Sequence, residues 1–390
     1  MEKDLKILMI SSDRNILTPG SAVSERMKEY GGLVEELHIV LLCDSSHTSS
    51  LKIENGKLKI AEGVYVYPTN SSMKILRPLD AARIGKRIVL KNKFVRGECV
   101  VTTQDPFECG WAGLNVKKKW RIPLEVQLHT NPFSPYFGGF QNRVRQFFAR
   151  TVLASADNIR VVSENLRHNI ENLLKIENSK LKILPIYVDK DQIENGQISF
   201  DLHARYPWHF ILLAASRITP EKNLSMALRV LALVRERYPS TGLVIAGSGS
   251  EEKVLKSLVE KLGLAGFVEF VGWQSELASF YKTANAFIQT SFYEGYGLAL
   301  VEAGLSGLPV VTTPVGIATE LENGKDAYIF PHDRPDMFAA GIVDLIENNE
   351  KRENLRVNLK HTLDARLLSK EDYMAKIRDN WEKTALKIKP

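Results

Sequence analysis

Cysteine is scarce in this chain. Its three residues, Cys43, Cys99 and Cys109, form no C-x-x-C pair and no cluster with histidine, which argues against a zinc site and against a disulfide framework. Long apolar runs are missing as well: no stretch approaches the roughly 20 residues that a membrane span needs. The opening MEKDLKILMISS passes from charge straight into a strand pattern rather than into a signal peptide, so the expected compartment is the cytoplasm. Nor is the composition biased, since 44% apolar and 25% charged residues indicate neither disorder nor a fibrous repeat. A chain of 390 residues is too long for one ordinary core and suits two domains.

What is present in excess is positive charge, and only in one half. The net +6 divides into +9 over residues 1–190 and −3 over the remainder. Lys74, Arg77, Arg83, Lys86, Arg87, Lys91, Lys93 and Arg96 crowd one stretch in which Ile75, Leu79, Ile84, Ile88 and Val89 interleave. Such a basic amphipathic helix docks on anionic lipid, at about 1 kcal/mol per basic residue, or is an ordinary solvated helix face. Both readings stand at this point, and the first adds the inner face of the membrane as a location. Nucleic acid is not expected, because no interleaved aromatic platform or recognised binding motif accompanies the charge.

Apolar strands at 5–10, 37–42, 64–67, 99–102, 124–128, 158–162 and 181–184 alternate with helical patterns, which predicts a parallel, doubly wound sheet. A second series follows at 210–214, 243–246, 268–270, 286–289, 309–312 and 327–330. Between the series, the polar segment 187–208 with Gly196 and Pro207 reads as the joint. The expected domains are therefore 1–190 and 208–369, followed by an amphipathic helix over 370–390 whose apolar residues include Tyr373, Ile377 and Trp381. Ligands of such sheets bind outside the carboxyl ends of the strands, so the chemistry is expected in the loops that follow them.

The richest of those loops is SFYEGYGLALVEAGLSGLPVVTTP, from Ser291 to Pro314. Gly295 and Gly297 let the backbone turn tightly beside a ligand, and the helix opening near Leu298 offers N–H groups and a positive dipole end to a phosphate. Glu294 is placed to accept from sugar hydroxyls and Glu302 from a ribose. Eight positions is also close to two helical turns, which would put both glutamates on one solvent face; the glycines disfavour helix before Leu298 and weaken that reading.

Glutamate, seven residues, glutamate, then A-G-x-S-G-x-P-V-V resembles the signature of the GT4 glycosyltransferases, a family of two-domain GT-B fold in which two Rossmann-like domains face each other across a cleft. LLAASRITPEKNLSMAL resembles the family's strand and loop carrying a basic pair, here Arg217 and Lys222, and the resemblance implies that both grip the donor diphosphate. VIAGSGSEEKVL, with Gly247 and Gly249, and VEFVGWQSELASFY, which resembles the segment receiving the nucleobase near Gly272 to Glu276 and so includes Gln274, continue the match. The loop 295–298, with Gly295, Tyr296, Gly297 and Leu298, completes the implied donor site.

The first half matches less closely. Where the family commonly shows two adjacent glycines, this chain has Gly20 followed by Ser21, so phosphate contact there is less secure. His129, after the fifth strand in EVQLHTNPF, occupies the place of a histidine that the family sets beside the reacting sugar; a structural histidine is the competing reading. Ser163 reads as a helix N-cap. The resemblance further implies that the C-terminal helix crosses back to the first domain, with Trp381 as anchor.

The implied activity is retaining transfer of a hexose-type sugar from a nucleotide diphosphate donor to a glycan or lipid-linked acceptor, with domain closure excluding water. Fixed cations stabilise a departing diphosphate, and the loops after the predicted strands carry no D-x-D motif, so neither metal nor other cofactor is expected. A GT-B nucleotide-sugar epimerase and a non-catalytic nucleotide-sugar-binding module are the alternatives.

Overall fold

The computed structural model describes residues 5–48, 51, 53–135 and 138–387; the first four residues and the last three of the expected C-terminal helix lie outside these. The chain divides into two compact units, Met1–Pro185 with Ser369–Pro390, and Ile186–Leu368.

The first unit is built on a sheet of eight strands among the described residues: β1 (Lys6–Ser11), β2 (Glu36–Leu41), β3 (Leu58–Ala61), β4 (Val64–Pro68), β5 (Cys99–Thr103), β6 (Leu124–Leu128), β7 (Asn158–Val161) and β8 (Leu181–Ile183). Their order is β3-β4-β2-β1-β5-β6-β7-β8. The central strands are continuous apolar runs because both faces are covered; Ile7 to Ile10, Val100, Val101 and Val126 are fully buried. All neighbours pair parallel except β3 with β4, an antiparallel edge pair. Strand β3 has no sequence counterpart above: LKIA is half exposed and short, so it carries neither a long apolar run nor a clear alternation.

Helices Arg77–Lys91, Glu108–Trp120 and Phe140–Ser155 lie side by side. Small residues set the spacing, since a Cβ at Gly85 would meet Val116 at 2.9 Å and one at Gly110 would meet Val152 at 2.8 Å. Right-handed crossovers between successive strands put all three on one face of the sheet. Ser163 caps its helix by accepting from Leu166 N at 3.3 Å.

The C-terminal helix, Lys370–Ala385, also belongs to the first unit. Trp381 is fully buried, meets Tyr30 edge to face at 5.6 Å and donates from Nε1 to Glu125 Oε1 at 3.3 Å. Glu125, itself buried, also accepts from Thr102 Oγ1 at 2.9 Å and from Asn158 and Asn380. Tyr30 and Tyr373 join their hydroxyls at 3.2 Å.

The second unit holds, among the described residues, a parallel sheet of β9 (Phe210–Ala215), β10 (Thr241–Ala246), β11 (Val268–Gly272), β12 (Ala286–Gln289), β13 (Val310–Thr312) and β14 (Tyr328–Ile329), in the order β11-β10-β9-β12-β13-β14. The chain steps outward from β9 to β11 and then returns to β12, so β9 and β12 flank the switch point where loops part to leave a crevice. The segment 187–208 differs from the irregular joint expected. It contains helices Lys190–Glu194 and Leu202–Arg205 and is fastened to the second unit. Phe200 meets Phe280 at 4.9 Å, and Ser199 N and Leu202 N donate to Ser279 Oγ and Thr283 Oγ1 at 2.8 and 3.2 Å. The division falls at Pro185, ahead of residue 190, because these long-range bonds leave no trace in local pattern.

Candidate functional site

Strand β9 ends at Ala215, and its loop is held down by Ser216 N to Ala246 O at 3.0 Å and Ile218 N to Ser248 O at 2.9 Å. A turn over Pro220–Lys222 ends on Asn223 in the left-handed region, φ 49°, which swings the chain directly into helix Leu224–Arg237. The loop after β12 is stitched to this turn: Thr290 Oγ1 donates to Asn223 O at 2.9 Å, and Phe292 N to Glu221 O at 2.9 Å. The two loops at the switch point are thereby fixed against each other.

That stitching brings Lys222 to Glu294. Lys222 Nζ lies 2.7 and 2.8 Å from the two carboxylate oxygens, with both side chains nearly out of solvent. Ser291 Oγ donates to Glu294 Oε1 at 2.7 Å, and Thr313 Oγ1 holds Ser291 O at 2.6 Å. Arg217 is not brought into this pair. Its side chain is 74% exposed and its Nη2 lies 3.1 Å from Glu221 Oε1, leaving it at the mouth of the same loop.

The glycines explain how the loops stack. A Cβ on Gly249 would sit 2.2 Å from Ile218 O, so this residue lets the loop after β10 rest on the one carrying Arg217. Gly316, absent from the sequence reading, matters as much. Its φ is +55° and a Cβ would meet Tyr296 O at 2.3 Å, where Ile317 N donates at 2.7 Å. Its signal was a lone Gly after Thr-Thr-Pro-Val. Gly297, at φ 95°, opens helix Leu298–Leu305. Gly295, beside Glu294, is half-buried, whereas the Tyr296 ring is buried and its hydroxyl pushed up to about 12 by that burial. Tyr296 thus packs beneath the loop.

A cavity of about 290 Å³ opens beside that helix, lined by Val188, Asp189, Leu277, Tyr281, Leu298 and Glu302 among others. Burial raises the pKa of Glu302, and the hydrogen bond from Tyr281 opposes the rise; Tyr281 OH donates to Glu302 Oε2 at 2.9 Å. Tyr281 escaped the sequence reading because an aromatic in a short apolar helix looks like core. Gln274 lies in the segment expected to meet the nucleobase. Its side-chain amide turns back to Val271 O at 2.6 Å, while Ser275, Glu276 and Leu277 line the cavity.

Contrary to the expectation that no D-x-D follows a strand, one such string, Asp189–Lys190–Asp191, stands in the segment after β8. Asp189 caps the helix it begins, accepting from Gln192 N at 3.0 Å, and Lys190 lies 3.3 Å from Asp364.

In the first unit, Gly20 takes φ 77° in an open, exposed turn, next to Ser21, which caps helix Ala22–Gly32 by accepting from Ser24 N at 3.1 Å. His129 follows β6 and is exposed. The surrounding protein mass, then the charges of Arg160 and Arg26, push its pKa down.

Two family models match. Glycosyltransferase Family 4 covers residues 32–192 and Glycosyl transferases group 1 covers residues 202–362. An uncharacterised glycosyltransferase of Methanocaldococcus jannaschii is 29% identical over 48% of this chain, and the match spans about half of that relative, 47%. The alpha-monoglucosyldiacylglycerol synthase of Acholeplasma laidlawii is 24% identical over 72% of this chain and 73% of its own length. Among solved structures, Anabaena HepE in complex with UDP and glucose shares the fold at TM-score 0.73 and 18% identity, over 97% of this chain and 100% of the other.

Proposed function

The chain belongs to the GT4-type glycosyltransferases of GT-B fold, and on that premise we propose that it moves a hexose-type sugar, with retention, from a nucleotide diphosphate donor to a hydroxyl of a glycan or lipid-linked acceptor. The observation that carries this reading is the Lys222–Glu294 pair at the sheet's switch point, one loop away from the cavity holding Glu302.

In the proposed reaction the glycosidic bond to the diphosphate breaks, the acceptor oxygen bonds to the anomeric carbon from the same face, and the acceptor proton passes to a donor phosphate oxygen. Lys222 moves from Glu294 to the diphosphate, with Arg217 closing on it from the loop mouth, and the first N–H groups of helix Leu298–Leu305 add their dipole. Glu294, released from Lys222, accepts from the sugar hydroxyls. Glu302 accepts from the ribose. His129 keeps the role the family resemblance gives it, beside the reacting sugar. The cations make a metal unnecessary in this scheme; activity lost to a chelator and restored by Mn²⁺ would count against it.

The lipid-linked acceptor draws support from the relative named for monoglucosyldiacylglycerol and from helix Arg77–Lys91, whose basic face carries exposed Arg83, Arg87 and Lys91. A thermal-shift screen of nucleotide diphosphates and nucleotide sugars tests the donor reading, because a ligand that binds only the native state raises its stability. No shift with any of them sinks the proposal. Donor binding without transfer to any acceptor would favour the non-catalytic module.

A further inference from the structure

Helix Phe140–Ser155 buries only Ala149, Val152 and Leu153, all in its second half. Its first turns project from the unit and expose Phe140 by 82%, Val144 by 42%, Phe147 by 68% and Phe148 by 39%. Spaced i, i+4, i+7 and i+8, these residues form one stripe. Exposed apolar stripes of this kind mark contact surfaces. The charge around it has one dominant sign: from Val126 to Ala156 the chain contains Arg143, Arg145 and Arg150 and no Asp or Glu. Arg145 is answered by Glu108 at 2.6 Å, and Arg150 lies over the Phe133 ring at 4.8 Å.

A second exposed set sits on the same helical layer. Met73, Ile75 and Leu79, at 58%, 78% and 53% exposure, lead into helix Arg77–Lys91 among Lys74 and Arg83. Both helices start where a strand ends, after β4 and β6, so their first turns lie along the carboxyl edge of the sheet, the edge that carries the His129 loop. The Glu108–Trp120 helix lies between the two, so that only a broad surface could engage both sets.

We propose that this edge docks on an anionic lipid bilayer, with the phenylalanines of helix Phe140–Ser155 entering the interface and the arginines and lysines meeting lipid headgroups. No helix among the described residues is long and apolar enough to cross a membrane, so the contact is peripheral. The proposal deepens the lipid-linked acceptor reading, because it sets the acceptor edge of the first unit against the surface where such a substrate resides.

The full chain is sedimented with phosphatidylcholine vesicles, with and without phosphatidylglycerol. Binding is expected to the anionic vesicles and to fall about tenfold or more in Phe140→Ser/Phe147→Ser, with unchanged circular dichroism and unchanged nucleotide-induced thermal shift. Equal binding by variant and parent overturns the proposal, as does absence of binding by the parent. So does a concentration-dependent dimer that the variant dissolves, since a second copy then covers the face. Transfer that succeeds only with soluble glycans, alongside intact vesicle binding, would strike the acceptor reading and leave the docking surface standing.

Discussion

The two units spend their buried polar groups differently. In the second, Lys222, Glu294 and Ser291 are gathered by loops that leave a strand end and open toward a ligand crevice. In the first, Glu125, Asn158, Asn380, Trp381 and the Tyr30–Tyr373 pair sit inside the unit and fasten the C-terminal helix. On the proposed reading, one cluster exchanges partners and the other keeps them. Removing a member should therefore cost chemistry in one unit and stability in the other.

The largest effect should follow from Trp381→Ala. Deleting a fully buried indole costs about 3–5 kcal/mol, and it also strips Glu125 of a donor. Thermal unfolding should show the loss in the first unit while a nucleotide still stabilises the second. Loss of nucleotide binding as well would break the comparison.

Lys222→Ala comes next. Removing one group that stabilises the departing charge should lower transfer by about 10²–10³-fold with the melting temperature little changed, and Glu294→Gln should act in the same direction. Undiminished transfer by either folded variant would overturn its assigned role.

Legibility in the sequence follows the same division. The glycine-rich loop, Arg217, Lys222 and the alternation of apolar strands are local patterns, and the structure sets them at the switch point of a parallel sheet. What escaped is long-range. Tyr281 acquires its place only through contact with Glu302, and Gly316 only through the backbone of Tyr296. Segment 187–208 looked like a linker because its partners, Ser279, Phe280 and Thr283, lie far along the chain. Gln274 shows the same limit: its side-chain amide turns back onto Val271 O, a contact that local pattern does not reveal.

Gly249→Ala sharpens the comparison from the backbone side. The new methyl would lie 2.2 Å from Ile218 O, a backbone atom that must shift, at about 1–3 kcal/mol. Because that loop carries Arg217 and Lys222, donor affinity should fall along with stability, whereas an equal loss of stability from the first unit should leave affinity intact. Nucleotide titration of two variants matched in melting temperature separates the cases.

The smallest effect is the most specific. Burial raises the pKa of Glu302 above its ordinary 4.5, and the Tyr281 hydrogen bond holds it partly down. The folded state therefore binds this proton more tightly than the unfolded one, so its contribution to stability is present below pH 4.5 and is lost as pH rises through the folded value. With Glu302 on the ribose, as proposed, donor binding runs the other way, because a ribose hydroxyl donates best to the ionised carboxylate. Nucleotide affinity should weaken on acidification, with its midpoint above 4.5. Tyr281→Phe removes the group that favours the charged form, so it should move that midpoint to higher pH and cost about 0.5–1.5 kcal/mol of affinity at neutral pH. Glu302→Gln should flatten the profile. An acid limb that stays in place in both variants would show that this pair does not hold the ribose.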